Sequence, residues 1–226
     1  DGSGFTVLKS FDRPSSGALP EAGLVQGLDG ALYGTALIGG SFDVGTVFKL
    51  NPDGTGFTVL KNFDSIGGAN PRGSLIQGTD GALYGTASAV VFKLNPDGSG
   101  FAVLRTLDIS SEGTDLRAGL IQGTDGALYG AASQGGNLNN GTLFKLNLDG
   151  SGFTVLKYFD YTSGAYPFGT LIQGTDGELY GTTIEGGSFG DGTVFKLNLD
   201  GSGFTVLKNL DVLGGRYAQA GVIQGT

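Results

Sequence analysis

Residues 23–64 read GLVQGLDGALYGTALIGGSFDVGTVFKLNPDGTGFTVLKNFD. Four short apolar runs lie in this stretch: GLVQG at 23–27, ALYGT at 31–35, GTVFKL at 45–50 and FTVLKNF at 57–63. β-Branched and aromatic residues dominate them, and none is long enough for a helix. Asp29-Gly30 separates the first two runs and Asp53-Gly54 the last two. An Asp-Gly pair between apolar runs marks a tight hairpin, because both turn residues take positive φ. The stretch predicts a four-stranded antiparallel meander.

The same phrase recurs along the chain. Its Asp-Gly turn returns at Asp80, Asp125 and Asp176, and its fourth run opens at Phe5, Phe57, Phe101, Phe153 and Phe204, at intervals of 52, 44, 52 and 51 residues. A period near fifty with several strands per unit is a repeat architecture. Read as a plain alternating strand, the fourth run carries Phe, Val and Lys on one face and Thr and Leu on the other, so both faces hold apolar groups. A sheet covered on one side alternates more cleanly. Sheets stacked face to face about an axis bury both faces, which is the β-propeller arrangement. The competing β-solenoid has shorter periods and parallel strands, against the hairpin turns here. The fold expected is all-β, a single propeller domain over 1–226. It has complete units at 13–64, 65–108, 109–160 and 161–211. Residues 1–12 supply strand four of a partial fifth blade and residues 212–226 its strand one, with five-bladed closure. An incomplete blade leaves open edges on which copies of the chain could self-associate.

Composition narrows the function. Of 226 residues, 39% are hydrophobic and 15% charged, which argues for a packed protein rather than a disordered one. The 21 acidic against 13 basic residues give a net charge of -8, with no basic stripe, so no nucleic-acid partner is expected. Cys, His, Met and Trp are absent. There is then no thiolate nucleophile, no Cys-ligated metal and no histidine base, and no cofactor or metal is called for. A chain without Met reads as a processed product or a piece of a longer one. No apolar run approaches a membrane span, so no membrane insertion is expected.

The strings Leu32-Tyr33-Gly34-Thr35, Gly39-Gly40 and Gly45-Thr46-Val47-Phe48-Lys49-Leu50, with their copies at Leu83, Leu128 and Leu179, resemble the GloVer tandem repeats of bacterial secreted and surface proteins. The resemblance covers essentially the whole chain. It implies an extracellular or cell-surface protein and assigns no biochemical activity to the repeat. The chain departs from the family in having Lys9, Lys61, Arg105, Lys157 and Lys208 where the family often has His, and in showing no anchor segment.

In a four-stranded meander the one-to-two and three-to-four turns share one end. The two-to-three loops and the inter-blade linkers share the other. The first end is built of near-identical Asp-Gly turns, while the second carries the irregular segments, where binding residues usually sit. Nine of the 13 bases occupy repeated strand positions, which leaves Arg13, Arg72, Arg117 and Arg216 in linkers. Phe42, Phe168 and Phe189 are the phenylalanines outside the repeated positions, and Tyr166 and Tyr217 also fall in linkers. One reading makes these linker residues that fold back on blade edges. The other makes Arg72, Arg117, Arg216, Phe42, Phe168, Phe189, Tyr166 and Tyr217 a ligand-binding loop face, its rings stacking on sugar or peptide and its guanidinium groups donating hydrogen bonds. Glu21, Arg72, Arg117, Phe168 and Gln219, each three before a strand-one aliphatic, should line the mouth of the central channel. They are either one asymmetric site or five separate surface residues.

Other motifs discount themselves. The turns NPDGTG and NLDGSG lack the carboxylate spacing of a calcium loop. The Gly-Gly loops have no following helix to make a phosphate cradle, and the second unit deletes its loop outright, reading SAVVFKL at 88–94. A glycosidase would need paired carboxylates, and none of the irregular acids Glu21, Asp43, Glu112, Asp115, Glu178, Glu185 and Asp191 forms an obvious pair. No catalytic residue is therefore named. The function expected is a non-catalytic extracellular binding or scaffolding module for a glycan or protein. The alternatives are a structural subunit of a larger assembly and a glycosidase-like enzyme.

Overall fold

The structure is a computed structural model that describes residues 3–225. One short helix, α1 (Arg13–Ser16), precedes sixteen strands. Blade 1 holds β1 (Val25–Gln26), β2 (Leu32–Ala36), β3 (Thr46–Leu50) and β4 (Thr58–Asn62). Blade 2 holds β5 (Ile76–Gln77), β6 (Leu83–Ala87), β7 (Val90–Leu94) and β8 (Ala102–Thr106). Blade 3 holds β9 (Ile121–Gln122), β10 (Leu128–Ala132), β11 (Thr142–Leu146) and β12 (Thr154–Tyr158). Blade 4 holds β13 (Ile172–Gln173), β14 (Leu179–Thr183), β15 (Thr193–Leu197) and β16 (Thr205–Asn209). Each is a separate antiparallel sheet with its strands in sequence order, as the Asp-Gly hairpins require.

The tyrosine of strand two locks the first hairpin. Tyr33, Tyr84 and Tyr129 each donate a hydroxyl hydrogen bond of 2.7 Å to the turn aspartates Asp29, Asp80 and Asp125. The Tyr33 oxygen also lies 3.5 Å from the Pro96 carbonyl in the three-to-four turn of the next blade, so both turn types do share one end. The aspartate of the second turn is satisfied locally: Asp53 Oδ1 accepts from the Thr55 amide at 2.9 Å and from its hydroxyl at 2.7 Å. This is ordinary turn chemistry.

The fourth strand is not plainly alternating. Phe48 pairs with Val59 while Val47 pairs with Lys61, which leaves Leu60 as an extra residue in a β-bulge. The same shift occurs in all four blades. A bulge interrupts the two-residue period. Leu60 and Lys61 therefore both serve the neighbouring sheet: Leu60 packs into its core and Lys61 Nζ sits 4.3 Å above the Phe101 ring. The expected split of Lys and Leu between faces is corrected accordingly.

Cores form between blades, not within them. At the first joint Tyr33, Val47 and Phe63 of blade 1 meet Leu75, Leu83 and Phe92 of blade 2. Equivalent sets join blades 2 and 3, and blades 3 and 4. Gly130 in β10 is what admits the Phe144 ring, since a Cβ there would lie 2.5 Å from Phe144 Cζ.

The expected partial fifth blade is corrected. Among the described residues there are four sheets, and neither 5–11 nor 222–225 forms a strand. The physical reason lies in the sheet order. Strands one and four stand at opposite edges of every blade, so without the middle pair neither has a hydrogen-bond ladder to join.

Candidate functional site

The loop end is built by linkers that bind the loops ahead of and behind them. The Tyr166 amide donates to the Asn140 carbonyl behind at 2.9 Å, and the Ala165 amide to the Glu185 carbonyl ahead at 2.7 Å. One linker position is held in the left-handed region throughout, at Leu19, Asn70, Asp115, Tyr166 and Tyr217, with φ of 55, 51, 56, 58 and 54°. That conformation is uncommon for Leu and Tyr. It turns the chain two residues ahead of each residue that enters one shared cavity.

Those next-but-one residues are Glu21, Arg72, Arg117, Phe168 and Gln219. All five line one cavity of about 330 Å³, together with the short segments that follow each of them. Neighbouring segments touch: the Gly119 amide donates to Thr170 Oγ1 at 3.0 Å, and a Cβ on Gly73 would lie 2.5 Å from the Ala118 carbonyl oxygen. Glycine at these strand-one leads lets the backbones converge. The mouth is polar, with Ser74, Thr170 and Gln219 beside the charged groups.

Each arginine of the mouth has a partner. Arg72 Nη1 binds Glu21 Oε2 at 2.8 Å. Arg117 Nε binds Asp115 Oδ2 at 2.6 Å, while its guanidinium carbon lies 4.6 Å from the centroid of the Phe168 ring. Asp115 also accepts from Ser133 Oγ at 2.9 Å, which fixes it in place. The charges cancel locally, so the mouth offers directional hydrogen bonds and one aromatic face rather than net charge.

Of the eight residues singled out in the sequence, the cavity gathers Arg72, Arg117 and Phe168. Arg216 instead binds Asp191 at 3.0 Å and lies 5.1 Å from the Tyr217 ring centroid. Tyr166 and Tyr217 serve as the left-handed linker residues. Phe42 is 62% exposed beside the Arg13–Asp43 ion pair and Phe189 is 64% exposed, both outside the cavity. Ser74 and Thr170 line the cavity and Asp115 braces Arg117 from outside it, and the sequence marked none of the three as site residues. Ser74 and Thr170 sit at strand-one leads, and Asp115 stood out only as an irregular acid. Among the described residues no three or more His, Cys, Asp or Glu side chains converge as metal ligands would.

Solved structures share the architecture. A chain of the nidogen/laminin complex matches at 16% identity and a TM-score of 0.60, covering 88% of this chain and 65% of that one. The gluconolactonase XC5397 from Xanthomonas campestris matches at 18% identity and a TM-score of 0.57, covering 82% and 61%. The extracellular domain of the hybrid two component system BT4673 from B. thetaiotaomicron matches at 13% identity and a TM-score of 0.59, covering 88% and 24%. At these identities the likeness is one of fold, and the chain spans less than two thirds of each neighbour. No curated protein matches the chain. A family described as the Gloeobacter/Verrucomicrobia repeat matches residues 1–90 and 87–226.

Proposed function

The chain belongs to the Gloeobacter/Verrucomicrobia repeat family, and from that premise we propose that it is a non-catalytic extracellular binding module whose site is the central mouth of the loop end. One observation carries the reading: Glu21, Arg72, Arg117, Phe168 and Gln219, at a linker position that the repeat does not hold constant, line the same cavity. A rigid stack of near-identical sheets that varies at one shared cavity is the usual design of a recognition surface. The ligand is a neutral, polar segment of a protein or glycan, because the arginines are already neutralised by Glu21 and Asp115. A protein ligand has a specific support, since one structural neighbour is a chain of a protein–protein complex. An extracellular setting accords with the neighbouring extracellular domain, and no helix among the described residues is long and apolar enough to cross a membrane. Catalysis is disfavoured on chemical grounds, because both carboxylates beside the cavity are held by guanidinium groups and are poorly placed as acid or base.

The test is a screen against glycan arrays and extracellular protein panels. Any ligand found should lose at least about tenfold in affinity with Arg117→Ala or Phe168→Ala, as expected for truncating an anchor, and should keep its affinity with Arg216→Ala. A ligand indifferent to both cavity variants sinks the reading, and so does turnover of a lactone or polysaccharide that depends on Glu21 or Asp115.

A further inference from the structure

The three joints between blades are near copies of one another, and the two ends of the stack present the unmatched halves of a fourth. Leu75, Leu120 and Leu171 open strand one in blades 2 to 4 and are 2%, 1% and 2% exposed. Leu24, their counterpart in blade 1, is 49% exposed. At the other end Tyr33, Tyr84 and Tyr129 are fully buried against the next blade, while Tyr180 and Val194 of blade 4 are only half-buried.

Both flanks hold a non-strand segment that repeats contacts made at the formed joints. Phe11 packs 5.0 Å from Phe48, as Phe63 packs 5.2 Å from Phe92, and Lys9 sits 4.3 Å over Phe57 as Lys61 does over Phe101. Residues 8–11 thus stand where a preceding strand four would end. On the far flank Gln224 Oε1 accepts from the Thr175 amide at 3.0 Å, as Gln173 accepts from Thr124 at 2.9 Å. Residues 222–224 thus stand where a following strand one would begin. Segments 21–23 and 219–221 line the same axial cavity, so the two flanks border one gap. Apolar depressions of about 280 Å³ beside Leu24 and about 270 Å³ beside Tyr180 mark its walls.

We infer that this gap is a docking site for a β-hairpin carrying the repeat's own strand-two and strand-three phrases, A-L-Y-G-T and G-T-V-F-K-L. The partner's chemistry is read from the three joints already formed. The leucines and phenylalanine of such a hairpin would cover Tyr180 and Val194, as Leu179 and Phe195 cover Tyr129 and Leu143. Its tyrosine and valine would cover Leu24, as Tyr33 and Val47 cover Leu75. Its backbone would supply the ladder that the segments 5–11 and 222–225 lack. This is strand addition, with main-chain bonds for affinity and alternate side chains for specificity.

The test uses a synthetic peptide of residues 31–50, titrated into the protein by calorimetry and followed by amide exchange and thermal melting. Saturable one-to-one binding is expected, with amides at 6–10 and 222–224 slowed at least about tenfold and the melting temperature raised by roughly 5 °C through linkage. Leu24→Asp, at a half-exposed position, should lower the free protein's melting by only a few degrees and weaken peptide binding at least about tenfold. Since a free hairpin is marginally stable, the same twenty residues are also fused to the carboxyl terminus through a flexible linker. The fusion should melt above one carrying a scrambled hairpin. Equal melting of the two fusions overturns the inference. So does peptide binding that ignores Leu24→Asp, or a concentration-dependent oligomer that buries these flanks and excludes the peptide.

Discussion

The Tyr129 hydroxyl donates to Asp125 Oδ2 at 2.7 Å while its ring is buried between blades 3 and 4, so one side chain fixes a turn and fills a joint. Tyr129→Phe keeps the packing and removes the hydrogen bond. It should cost about 1 kcal/mol in urea denaturation, the usual worth of one such bond.

The same residue sets an alkaline limit. Burial, and then the Asp125 carboxylate, push the Tyr129 phenol up to about 12. A raised folded pKa stabilises the fold fully below the unfolded value near 10, and that contribution is lost as pH rises through about 12. Absorbance at 295 nm should therefore show the ionisation of this tyrosine delayed, and it should coincide with loss of the far-ultraviolet signal. Ionisation complete near pH 10 with the sheets intact would contradict it.

Acid acts through the linkers. Hydrogen bonds from the Ser163 hydroxyl at 2.5 Å and the Ser163 amide at 2.8 Å, with Thr162 assisting, hold Asp160 down to about 2. A depressed carboxylate stabilises the fold above its unfolded pKa near 4, and that contribution is lost as pH falls through about 2. Stability measured between pH 5 and 2 should fall less steeply in Asp160→Asn than in the parent.

Equivalent repeat positions should differ in energy by place. Leu75→Ala empties a fully packed joint and should cost about 2–5 kcal/mol. Leu24→Ala removes a side chain that is 49% exposed and should cost under about 1 kcal/mol. Paired denaturation curves decide it, and equal losses would mean that Leu24 is covered in solution.

Gly130 should resist substitution. An added Cβ would lie 2.5 Å from Phe144 Cζ and 2.8 Å from Leu120 Cδ2, two side chains buried in the joint. Gly130→Ala should destabilise by about 1–3 kcal/mol as overpacking does, whereas Gly126→Ala, where nothing lies within 4 Å, should be governed by its φ of 82° alone.

Most of the fold was legible because Asp-Gly turns are local and the phrase is repeated. The bulge at Leu60 was not legible, since a single extra residue leaves no mark in an apolar strand. The glutamine of L-I-Q-G was equally silent. Gln77 Oε1 accepts the Leu28 amide 49 residues away, and only coordinates reveal that reach. At the mouth, Glu21, Arg72, Arg117, Phe168 and Gln219 were visible because they break the pattern. The left-handed hinges were hidden because Leu19 and Tyr166 are residues that rarely take such a turn. Phe42 and Phe189 break the pattern too, yet they stand exposed on loops outside the cavity.

The likeness of the three joints has a genetic corollary. Corresponding residues fill all three, so duplication or excision of a whole unit would bring like faces together at the seam. Descent can then vary the number of leaves by unequal crossing-over, while sequence drift accumulates at the mouth, where five units present four different residue types.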